Sequence, residues 1–96
     1  MMNYNEFLQI GDEIELNKIA SEVEMIMLVN HNMIDKYDIA TAQKKTFELM
    51  SFVNKLQDLK NKAMIHNAKK VFDMCEVYIV DAEYQMNLLR KKYMEL

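Results

Sequence analysis

Along its 96 residues the chain has no proline and a single glycine, Gly11. Sandwiches and barrels need glycine and proline at their tight turns, and phosphate-cradling loops need glycines where backbone meets ligand. A chain without that punctuation is left with helices joined by polar turns. The expected class is all-α.

Hydrophobic periodicity then places the helices. Residues 3–10, NYNEFLQI, set Tyr4, Phe7, Leu8 and Ile10 on helical spacing, and Gly11 can adopt the left-handed conformation that closes a helix. Asp12 reads as the cap of a second helix over 12–29, with Glu15 completing a capping box. Its stripe is Leu16, Ile19, Val23 and Ile26, broadened by Ala20 and Met27, and NHN at 30–32 reads as the turn that follows.

Asp35 and Asp38 supply cap and first-turn charge for a helix over 36–60. Its stripe is Ile39, Ala42, Thr46, Leu49 or Met50, Val53, Leu56 and Leu59. A last helix over 63–94 carries Ile65, Phe72, Ile79, Met86 and Tyr93 seven apart, and Ala68, Cys75, Ala82, Leu89 and Leu96 seven apart three residues later. Between Leu59 and Ile65 the apolar face rotates by about one residue, roughly 100° of helix, which predicts a turn near Asn61. One continuous helix with two differently directed faces is the alternative. The expected architecture is a three-helix bundle or elongated helical hairpin in one domain, with a short N-terminal helix and a long, heptad-patterned C-terminal one.

The C-terminal helix has more apolar circumference than that seam requires. Met74, Val77, Tyr84 and Leu88, with Val80 beside them, form a second line roughly 200° around from Phe72, Ile79 and Met86. One stripe suffices for a helix on the outside of a bundle. The second line is therefore expected to be a contact surface for another protein or for a second copy in a homodimer, with Tyr84 as its anchor. The competing expectation is that Tyr4, Phe7 and Leu8 of the N-terminal helix fold back over it. Ala68, Cys75 and Ala82 in the seam permit close helix approach, which assigns the seam to the interior.

No chemical site emerges. The residues three before His31 and His66 are Leu28 and Ala63, so the Glu-x-x-His pattern of carboxylate-bridged metal bundles is missing. Ser21 and Ser51 lie in helical segments without a nucleophile elbow, and Cys75 has no histidine four residues to either side. The chain reads as non-enzymatic, with no catalytic residue, metal, cofactor or small-molecule substrate. A lone cysteine fits a reducing compartment, and MMNYNEF lacks the basic start of a signal peptide, so the expected location is cytoplasmic. Met25–Ile34, free of charged side chains, is far shorter than the roughly 20 apolar residues of a spanning helix.

Charge is unevenly distributed. Residues 1–30 hold six acids against Lys18, whereas residues 31–72 hold eight lysines against four acids. Lys44, Lys45, Lys55, Lys69 and Lys70 could follow a phosphate backbone, which makes a nucleic-acid-binding regulator the alternative function. With Arg90 the only arginine, that region has none for bidentate base readout, and the acidic first segment can instead pair with it internally. The composition resembles that of small phage and mobile-element proteins, many of which act by adhering to a host enzyme. The functional expectation is a protein-binding regulator, inhibitor or assembly factor.

Overall fold

The computed structural model describes residues 3–94. The protein is an all-α three-helix bundle, with no strand among the described residues. Helix α1 spans Tyr4–Met33, α2 spans Ile39–Ile65 and α3 spans Lys69–Tyr93, with a 3-10 turn at Ile34–Lys36 between the first two. The bundle is elongated, with principal extents of 56 × 20 × 16 Å.

The break expected at Gly11 does not exist, and the separate helices over 3–10 and 12–29 are one. Asn3 caps α1, its side chain accepting from the Glu6 amide at 2.8 Å. Gly11 has a negative, helical φ. A mid-helix glycine costs about 1 kcal/mol relative to alanine, and the contacts on either side of it offset that loss. The Gln9 amide donates to the carbonyl of His66 at 2.9 Å and to that of Asn67 at 3.3 Å, while the Asp12 carboxylate meets His66 Nδ1 at 2.7 Å. Residues three apart share a face only in an unbroken helix. Asp12 is therefore a buried mid-helix residue and caps nothing.

The turn expected at 30–32 also lies inside α1. Asn30 is wholly buried: its side-chain oxygen accepts from the Tyr37 hydroxyl at 2.8 Å, and its amide donates to Gln85 at 3.4 Å. The Tyr93 hydroxyl accepts from the Tyr37 amide at 3.1 Å and donates to the Ile34 carbonyl. This polar cluster ties the 3-10 turn to the ends of α1 and α3. Asp38 is the N-cap of α2, accepting from the Thr41 amide at 2.7 Å. Asp35 instead sits in the 3-10 turn and pairs with Lys92.

Helices α2 and α3 are separate, as the rotated stripe implies, but the turn comes later than Asn61. Helix α2 continues through Ala63, which is fully buried, and closes at His66. The chain reverses at Asn67, whose φ of 58° is the left-handed conformation that asparagine tolerates better than most residues. Ile65, assigned to the C-terminal seam, therefore belongs to α2 and is 74% exposed.

The core lies mainly between α2 and α3, with α1 laid along their groove. Leu16, Ile19 and Val23 of α1 meet Leu56, Leu59 and Ala63 of α2 and Val71, Cys75 and Ile79 of α3. A second cluster joins Ala42 and Leu49 to Ala82 and Leu89. Of the predicted α2 stripe, Leu49 and not Met50 points inward, and Ile39 is exposed. Leu96 of the seam lies outside the described residues. Cys75 and Ala82, both without exposed surface, place small side chains where α3 faces its neighbours and so let the helices approach closely.

Candidate functional site

The second apolar line of α3 divides in the fold. Val77, Val80 and Tyr84 are 50%, 65% and 60% exposed, so three side chains with large apolar surface project to solvent on the side away from Cys75 and Ala82. Leu88 is half-buried beside them. Met74 does not belong to this surface: it sits under α1, sharing a recess with Leu16, Ala20, Val71 and Tyr78. Its position on α3 is about 60° closer to α1 than that of Val77, and the width of α1 accounts for the difference.

The N-terminal residues do not cover the line. Gln9 is held at the α2–α3 turn, and α1 runs from there in the same direction as α3, with Glu24 opposite Tyr78 and Asn30 opposite Gln85. Residues 4–8 thus lie at the turn end of the bundle, where Tyr4 and Phe7 are 75% and 66% exposed. The seven-residue spacing of Phe7 and Ile14, opposite Leu16 and Val23, is the sequence signal that α1 also has an apolar outer side. Ile14, Met25 and Leu28 add to that exposed side.

Carboxylates surround the α3 line. Asp73, Glu76, Val77, Val80 and Asp81 form a shallow recess whose floor is the two valines. Between Lys70 and Arg90 the chain carries Asp73, Glu76, Asp81 and Glu83 and no basic residue. Asp73 holds Lys69 at 3.2 Å and Glu76 holds Lys60 at 3.5 Å, while Asp81 and Glu83 form no ion pair among the described residues. Glu24 accepts the Tyr78 hydroxyl at 2.9 Å, and that hydrogen bond, followed by burial, pushes the Tyr78 pKa up.

The five central lysines lie on two helices. Lys44, Lys45 and Lys55 stand on α2, with Lys44 and Lys55 separated by about 16 Å of helix rise, and Lys69 and Lys70 open α3. Lys45 pairs with Glu48 at 3.7 Å, Lys69 with Asp73, and the Lys55 ammonium lies 5.3 Å from the centre of the Phe52 ring. The acidic first segment also reaches this region, through Glu15 to Lys62 at 3.4 Å and Asp12 to His66.

No family model matches the chain, and no curated protein or solved structure matches it. The site is therefore defined by its own chemistry.

Among the described residues no group of three or more metal-ligating side chains converges, and no helix is long and apolar enough to cross a membrane. Cys75 is enclosed in the core, where burial first, and the nearby Asp12 and Glu15 carboxylates next, push its thiol up to about 11. A thiol held neutral in this way is a packing element and a poor nucleophile.

Proposed function

We propose that this protein is a non-enzymatic binding module whose outer α3 surface, Val77, Val80, Tyr84 and the edge of Leu88, engages a protein partner. It acts through that contact as a regulator, inhibitor or assembly factor. The observation that carries this reading is the exposure of Val77, Val80 and Tyr84 together on a helix whose opposite side is already committed to the core. Isolated apolar side chains on a surface are ordinary, but a contiguous row on one helix is a feature of interaction sites. Tyrosine adds a large rigid area with a polar tip, the combination enriched at interface hot spots.

The test is the double substitution Val77→Lys with Tyr84→Lys. Because neither side chain is core, circular dichroism and the urea midpoint should stay close to wild type, while capture of a protein partner from lysate by the immobilised chain is lost. Unfolding of the double variant, or undiminished capture by it, refutes the reading.

A further inference from the structure

We infer that the occupant of the outer α3 surface is a basic amphipathic helix: a segment of another protein carrying lysine or arginine beside a short apolar stripe. This rests on the binding surface proposed above and names the chemistry that fits it. The row from Val77 to Leu88 spans twelve residues, about 16 Å of helix rise. It therefore accommodates about three turns of a partner helix laid along it, with apolar side chains at helical spacing meeting Val77, Tyr84 and Leu88.

Charge selects among apolar partners. The valine floor of the recess is rimmed by Asp73, Glu76 and Asp81, with Glu83 one turn on from Val80. A lysine or arginine fits both parts of this arrangement, laying its aliphatic stem on Val77 and Val80 and its charged head against the carboxylates. The carboxylates of Asp81 and Glu83 are not already engaged by a cation within the described fold.

A second copy fits less well. A two-fold pairing of α3 along this row, in either direction, would bring the Asp81 and Glu83 carboxylates of both copies together near its centre, where α3 has no basic residue. Like charges placed opposite one another across an interface oppose association, and they discriminate between partners for the same reason.

The experiment titrates the intact protein into two labelled synthetic helices of about three to four turns, read by fluorescence anisotropy at low and high salt. Both carry the same leucine stripe, one flanked by lysine and arginine and the other by glutamate. The basic helix should bind roughly tenfold or more tightly than the acidic one, and should weaken as salt rises. Asp81→Lys with Glu83→Lys should reverse that preference, and Tyr84→Ser should weaken the basic helix without changing helicity. Equal binding of both helices, or a preference unaffected by the charge reversal, overturns the inference. Light scattering on the wild-type protein separates it from the reading on which it rests. A dimer dissolved by Tyr84→Ser would make a second copy the occupant, ending the basic-helix assignment while leaving the binding surface in place.

Discussion

The Asp12 carboxylate lies 2.7 Å from Nδ1 of His66, joining a residue in the first third of α1 to the residue that caps α2. Asp12 is 4% exposed, and the carbonyl of the same His66 accepts from Gln9. One turn of α1 is thereby fastened to the α2–α3 turn at both the side chain and the backbone of a single residue. This contact sets how α1 registers along the hairpin, and therefore which parts of α3 it leaves open.

Removing the histidine leaves a carboxylate buried without its partner, which costs more than the net worth of an exposed pair. His66→Ala should lower stability by about 2–3 kcal/mol in urea denaturation. Asp12→Ala/His66→Ala should lose less than the two single changes added together, because the second substitution no longer strands a charge. Strict additivity would show that the two groups are not coupled.

Gly11→Ala should stabilise the protein by about 0.5–1 kcal/mol, seen as a rise in Tm. A β-carbon added there meets nothing within 4 Å, and the residue already has helical φ. Had Gly11 ended a helix in the left-handed conformation, the same substitution would destabilise. The sign of the change therefore decides between a continuous and a broken α1.

Cys75 should resist alkylation at pH 8 in the native state and react readily in urea, with the modification followed by mass spectrometry. Its thiol is raised from an ordinary 9.0 to about 11 by burial and by the neighbouring carboxylates. The unfolded chain therefore releases this proton at lower pH than the folded one. The contribution is fully present below about pH 9 and is lost as pH rises toward 11. Cys75→Ala should flatten the stability profile between those values, and an unchanged alkaline slope would assign it to other groups.

The helical class and the three interior stripes were legible because each rests on local rules: no proline, one glycine and apolar residues at helical spacing. The cap of α2 was not, since the 3-10 turn takes up Asp35 and moves the helix start to Asp38. Spacing alone assigns Leu16, Ile19, Val23, Leu56, Leu59, Cys75, Ile79, Ala82 and Leu89 to the interior, and all are buried. The doubled apolar circumference of α3 was legible in the same way. Val77, Val80 and Tyr84 lie opposite the core because helix geometry fixes the angle between positions.

What tertiary structure decided was whether each local signal acted. A glycine followed by an aspartate has the makings of a helix end and a new cap, yet the bonds that Gln9 and Asp12 make to residues more than fifty positions away favour the unbroken helix. Asn30 lies in a run with the composition of a turn, and only the Tyr37 and Gln85 side chains arriving from other elements make it a buried interior residue. Met74 and Val77 are alike in sequence terms, and the course of α1 half-buries one and leaves the other in water. Propensity and capping act over a few residues and are worth about a kilocalorie per mole, so long-range burial and pairing, which are worth as much or more, select among the conformations the local sequence permits.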